Sequence, residues 1–290
     1  MKFLPLLVNS ASCGGIQDEA GKSEAVWTGN RPVSGRSITG LTIALTAAGL
    51  LTCLWSAHTG ETNRHASAAI GKGSGAARAA IPHRGTLPVK VSPEITHTAE
   101  SGGKAVNITI DDGPDPVWTP KILQVLHDNG AHATFCMIGP HAAENSAVVK
   151  KIVADDDRLC DHTVSHNMRM NHRSDAYQKS QILDAERMIQ QASGGVAPMY
   201  YRAPGGAFTP YSRQVAATHG MRPLGWNIDS KDFYRPGVNA IINTVKYELR
   251  NGPTILFHDG GGNRSQTYEA LKQLLPWLKT QGYTFSFPVR

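Results

Sequence analysis

A parallel α/β fold, curled into a (β/α) barrel of about seven strands, is what this sequence predicts for its last two hundred residues. Three observations carry that expectation. From about residue 104, short β-rich runs alternate with helical segments, the pattern of a parallel sheet with crossover helices. Asp111-Asp112, Asp161-His162, Arg202, Asp229 and His258 each fall at or just after the C-terminal end of a predicted strand. In a barrel those ends converge on one mouth, whereas an open sheet gathers only residues near its switch point. No tandem repeat, heptad or collagen period competes with this reading.

Each element has a local cause. Residues 105–110 form an apolar, β-rich run. Thr119 reads as a cap and Pro120 as the first position of a helix. Ile122, Leu123, Val125 and Leu126 give that helix one apolar face, and Gly130 ends it. Strands are expected at 133–138, 158–160, 199–202, 223–226, 254–258 and 284–287. Helices are expected at 146–153, at 175–193 ahead of Gly194, and near 211–218, 238–250 and 266–280, the last kinked at Pro276.

The first part of the chain reads differently. The protein has 290 residues, 40% hydrophobic and 18% charged, with a formal net charge of +6. That apolar content excludes a disordered chain, and a single long apolar stretch excludes a polytopic membrane protein. The charge is too diffuse to argue for nucleic acid and suits a weakly anionic polymer. Residues 38–55 carry no charge and follow Arg31 and Arg36, the pattern of a signal peptide or a single membrane anchor. Residues 1–58 are therefore read as an N-terminal extension. Residues 59–86, rich in Ala, Gly, Ser and His, read as a flexible linker, and residues 87–290 as the folded domain. Such a chain is expected to be secreted, or anchored facing the cell wall. Of four cysteines, Cys13 and Cys53 precede the domain, and Cys136 and Cys160 are available for a disulfide in an oxidising compartment.

The residues able to do chemistry form a short set. Asp111-Asp112-Gly113-Pro114 follows an apolar strand. It is either an ordinary turn or a pair of carboxylates aimed differently, one for a cation and one free as a base. His162 and His166 can share one side of a helical turn or a curled loop. With Asp112 they make a two-His, one-carboxylate set suited to a divalent metal with open positions. His258 is either a satisfied core histidine or a general acid, and Asp229 and Asp232 are placed to orient it. Arg202 can hold a carboxylate, and Gly205-Gly206 can bring a backbone N–H to an oxyanion. Trp226 and Phe233 are candidate substrate contacts. The other histidines, among them His97, His127, His132, His141, His172 and His219, are assigned no role.

In order, Thr109–Pro114, His162–His166, Arg202–Gly206, Asp229–Phe233 and Leu256–His258 resemble the five motifs of the polysaccharide deacetylases, the NodB-homology enzymes of carbohydrate esterase family four. The resemblance covers about residues 104–288. It implies a distorted parallel (β/α) barrel and the removal of acetyl groups from peptidoglycan, chitin oligomers or acetylxylan. The cofactor it implies is one divalent metal ion: zinc, cobalt or nickel. It further implies Asp112, His162 and His166 as metal ligands, Asp111 as base and His258 as acid. Arg202 would orient Asp111, Asp232 would tune His258, and the Gly205 N–H would face the oxyanion. A monomer acting on a polysaccharide is expected, with no nucleic-acid partner.

The sequence departs from the family pattern at four places. Phe233 stands where Trp is common, Gly205 where an aromatic often follows the proline, Ile110 where Phe is common, and Asp161 where Asn is common. None removes a ligand or an acid/base group. Two other readings share the barrel: an inactive carbohydrate-binding descendant, and a two-metal hydrolase, for which only one three-ligand set is visible.

Overall fold

The computed structural model describes residues 89–290. The apolar stretch 38–55, the linker 59–86, Cys13 and Cys53 lie outside the described residues. The strands are β1 (Ala105–Asp111), β2 (Ala133–Met137), β3 (Arg158–Asp161), β4 (Tyr200–Tyr201), β5 (Arg222–Pro223), β6 (Ile228–Asp229), β7 (Thr254–His258) and β8 (Thr284–Ser286). The helices are α1 (Trp118–Asp128), α2 (Gly139–Glu144), α3 (Ser146–Ala154), α4 (Asp175–Ala192), α5 (Pro210–Thr218), α6 (Val238–Glu248) and α7 (Ser265–Thr280). Among the described residues no helix is long and apolar enough to cross a membrane.

Seven strands line up in the order β5-β4-β3-β2-β1-β7-β6, and every strand pair is parallel. β8 pairs with the first half of β1, Ala105 opposite Thr284. β5 and β6 do not pair, so the sheet curls without closing. Residues 96–98 bridge that gap, from the end of β5 to the starts of β7 and β1. Thr96 N–H donates to the Pro223 carbonyl and Gly225 N–H to the Thr96 carbonyl. Asn107 Nδ2 donates to the Thr98 carbonyl, and Thr254 Oγ1 to the His97 carbonyl.

The two faces of the sheet differ because side chains alternate along a strand. Val106, Ile108 and Ile110 of β1, Phe135 and Met137 of β2, and Ile255 and Phe257 of β7 face outward. They pack with Ile122, Leu123 and Leu126 of α1 and Leu271, Leu274 and Leu278 of α7. Asn107, Thr109, Thr134 and Thr254 are equally buried on the inner face. At its centre lies Arg202, fully buried, with four hydrogen bonds. Nε donates to the Leu224 carbonyl (3.1 Å) and Nη2 to the Gly225 carbonyl (2.9 Å). Nη1 donates to Thr109 Oγ1 (2.9 Å) and Asp111 Oδ1 (2.6 Å). Cys136 and Cys160, directly opposite across β2 and β3, are joined by a disulfide on this inner face.

Local details differ from the sequence reading. Thr119 does not cap α1. Asp115 does, its Oδ1 accepting from the amides of Val117 and Trp118, both at 2.8 Å. Thr119 Oγ1 instead accepts from Asp115 N–H and donates to Asp259. Gly130, at φ +58, closes α1 as expected. Helix α2 and strand β6 were not anticipated: one has six residues and the other two, too short for a periodic pattern. α7 is one helix across Pro276.

Replacing Arg202 by Met should strand the buried Asp111 carboxylate and cost about 3–5 kcal/mol, read as a Tm lowered by roughly 10 °C. Adding Asp111→Asn to that variant should recover part of the loss. Reducing the Cys136–Cys160 bond, which closes a separation of 24 residues, should cost about 3 kcal/mol, measured by unfolding with and without reductant.

Candidate active site

A cavity of about 280 Å3 opens at the C-terminal ends of the strands. It is lined by Asp111 at the end of β1 and Asp112 after it, His162 and His166 after β3, Gly205 after β4, and His258 at the end of β7, with Met168, Trp226, Asp229, Phe233 and Leu256. Of the residues that the sequence marked for a site role, Arg202 and Asp232 stand behind this lining, bonded to Asp111 and His258.

Strict alternation would send Asp111 and Asp112 to opposite faces. Asp112 escapes this by taking φ +78, a left-handed conformation that Asp tolerates better than most residues. Both carboxylates then line the cavity. The turn needs glycine next, because a Cβ on Gly113 would run into the buried Asp259 carboxylate. The Asp112 carbonyl accepts from His141 Nδ1 at 2.8 Å. His141 was assigned no role from sequence, and it holds this loop from the unanticipated α2.

The two histidines meet on a curled loop rather than on a helix. Thr163 (φ +68) and His166 (φ +49) are both left-handed, and Asp161 Oδ1 accepts the Thr163 amide at 2.7 Å. The imidazole centroids lie 4.9 Å apart. His162 Nε2 is 3.6 Å and His166 Nε2 3.2 Å from the same atom, Asp112 Oδ1. Asp112, His162 and His166 each offer a ligand atom, all within 4.8 Å of one another, and among the described residues they form the one such group.

Three observations fit this set to a metal ion. Asp112 Oδ1 is buried and has no hydrogen-bond partner. His162 Nδ1 lies 2.8 Å from the Arg202 carbonyl, which can only accept, so Nδ1 carries the proton and Nε2 keeps its lone pair. Burial also pushes the His162 pKa down to about 3, so the ring stays neutral and available as a ligand.

Two buried titratable groups flank the set. Asp111 gives Oδ1 to Arg202, while Oδ2 lies 3.5 Å from His162 Nε2. Burial raises its pKa against the opposing charges of Arg202 and His258, which strengthens it as a base. His258 Nδ1 is 2.7 Å from Asp232 Oδ1, and Asp232 Oδ2 accepts the His258 amide (2.9 Å) and Thr267 Oγ1 (2.7 Å). Burial alone would lower the His258 pKa. The Asp232 hydrogen bond and the carboxylate charges of Asp232, Asp111 and Asp112 outweigh it and push it up to about 9.

Asp229 does not share the orienting role expected of it. Its carboxylate pairs with Lys231 Nζ at 2.6 Å and accepts the Lys231 amide. Phe233 stands edge-on to His258, with centroids 5.4 Å apart, and the Trp226 ring lies 5.6 Å from the Arg202 guanidinium carbon. Thr109, Thr267 and Met168 were missed. Threonines on strands and helices carry no signal of this kind, and Met168 follows its motif by two residues.

The profile described as polysaccharide deacetylase matches residues 98–224. A peptidoglycan-N-acetylglucosamine deacetylase of Bacillus cereus is 35% identical over 193 residues, covering 66% of this chain and 89% of that protein. A chitooligosaccharide deacetylase of Sinorhizobium fredii is 33% identical, covering 63% and 89%. A solved peptidoglycan N-acetylglucosamine deacetylase superposes with TM-score 0.62 at 28% identity, covering 66% and 89%. A Bacillus anthracis pseudoenzyme of carbohydrate esterase family four superposes with TM-score 0.61 at 27% identity, covering 67% of each chain. With the curled parallel sheet and these relatives together, the chain belongs to the polysaccharide deacetylase family.

Proposed function

We propose that the protein is a metal-dependent hydrolase that removes acetyl groups from polymers of N-acetylated amino sugars, with peptidoglycan and chitin oligomers as the substrates to test first. One observation carries the reading. A carboxylate and two imidazoles converge on one point, flanked by a buried carboxylate and by a buried His–Asp pair. The curated relatives described above are named for peptidoglycan N-acetylglucosamine and for chitooligosaccharides. Both names favour an amide substrate over acetylxylan. The Cys136–Cys160 bond supports work in an oxidising compartment, at the cell envelope or outside it.

Asp112, His162 and His166 would hold the ion. A zinc, cobalt or nickel ion bound there would supply Lewis acidity, lowering the pKa of water and polarising the acetyl carbonyl. The chain's own residues do the rest. Arg202 fixes Asp111 through Oδ1, leaving Oδ2 to take the proton of the attacking water. Gly205 lines the cavity with backbone alone and offers its N–H to the oxyanion that forms on the acetyl carbon. Asp232 holds His258 by Nδ1, so Nε2 is the nitrogen that hands a proton to the departing amine. Trp226 and Phe233 supply apolar walls for the sugar.

Acetate release by the full chain, with peptidoglycan, chitin oligomers and acetylxylan side by side, tests the reading. Release that chelator abolishes and added zinc or cobalt restores is expected. No release by folded, metal-loaded protein overturns it. Asp111→Asn should lower kcat by about 10²–10⁴ with metal content unchanged, and retained turnover removes Asp111 from the base role.

The His258–Asp232 pair sets the alkaline limit. His258 serves as an acid while protonated, so activity should fall as pH rises through its pKa of about 9. Asp232→Asn removes the charge that favours the protonated ring. The alkaline limb of kcat should then move to lower pH by about one unit or more, whereas an unmoved limb assigns that limb to another group.

A further inference from the structure

Gly205 stands where an aromatic side chain often follows the proline in this family, and the structure shows what fills that space. A Cβ built on Gly205 would lie 2.8 Å from Met168 Cε and 3.1 Å from its Sδ. A side chain at 205 and the present thioether therefore exclude each other. Gly205 also sits at φ +58, a conformation that side-chain-bearing residues seldom adopt. On the next residue, a Cβ on Gly206 would lie 3.3 Å from the Trp226 ring. Two consecutive glycines thus let two distant side chains close on one stretch of backbone.

We propose that Met168 is a specificity-determining residue, its thioether replacing a side chain at 205 as the apolar wall that bears on the acetylated amino sugar. This rests on the substrate class proposed above. Met168 lines the catalytic cavity beside Gly205 and Trp226, yet 59% of its surface is exposed. Its flanks are fixed: Asn167 Nδ2 donates to Tyr177 Oη and Asn167 Oδ1 accepts the Arg169 amide, while Ser165 holds Gln181. The loop is anchored and the thioether is free. An exposed apolar group at a cavity mouth gains stabilisation when an apolar sugar face covers it. An unbranched, polarisable side chain adapts to that face better than a rigid ring. The wall is consequently carried by the loop that carries His166 rather than by the backbone that offers the Gly205 N–H.

The test measures KM and kcat for chitin-oligomer deacetylation by the full chain, and the Kd of the same oligomer by tryptophan fluorescence. Met168→Ala should raise KM and Kd by about tenfold, with kcat changed less than twofold and metal content unchanged. Met168→Leu, which refills the wall, should stay near wild type. Gly205→Ala should also raise KM, because its methyl displaces the thioether, and the double variant should be little worse than either single one. Unchanged KM and Kd in Met168→Ala, fully additive effects in the double variant, or no oligomer binding by the wild type overturns the proposal. A wild type that binds the oligomer in a Met168-dependent way but releases no acetate leaves this inference standing and removes the hydrolase reading instead.

Discussion

A charged guanidinium at the centre of a barrel is costly unless its N–H groups are answered, and this fold answers four of the five. Arg202 reaches Thr109 and Asp111 on one strand and two carbonyls, of Leu224 and Gly225, at the end of another. Its own carbonyl accepts from His162 and so fixes which imidazole nitrogen faces the cavity. One residue thereby compensates the buried charge of Asp111, ties β1 to the β4–β5 side of the sheet, and sets the tautomer of a histidine. Stability and chemistry share the same hydrogen bonds, so neither can be changed alone at this position.

The site is also organised by contrast. His162 and His258 are both nearly inaccessible, yet their protonation is driven in opposite directions. His162 gives its Nδ1 proton to a backbone carbonyl, and its burial outweighs the nearby Asp112 charge, so it stays neutral. His258 receives a carboxylate at 2.7 Å, so it stays charged over most of the pH range. Neutral imidazoles suit a cation and charged ones suit proton donation. Two residues of one type are driven to opposite protonation states because of what each is hydrogen-bonded to.

Much of this was legible in the sequence, for reasons that differ by residue. The strands with apolar outer faces, such as 105–111 and 254–258, announce themselves by composition, and the motif residues at their ends follow from where a parallel barrel gathers side chains. β4 and β5 have two residues each and still fall at the strands expected near 199–202 and 223–226, whereas β6, equally short, gave no pattern of its own. The position of Asp112 beside Asp111 was not legible either, since alternation predicts opposite faces and only the left-handed φ of +78 reverses it. Residue type alone left Asp229 and Asp232 equivalent as partners of His258; the resemblance pointed to Asp232, and Lys231 takes Asp229. His141 and Met168 act through backbone or space rather than through a motif.

The segment at residues 96–98 crosses the bottom of the barrel, and the described chain begins and ends on that side. Val91 N–H donates to the Ala217 carbonyl at the close of α5, and Arg290 Nη2 donates to the Gly220 carbonyl at 3.0 Å. The catalytic cavity opens at the opposite end of the strands. The mouth is therefore clear of both ends of the described chain, and a ligand can approach it without passing either.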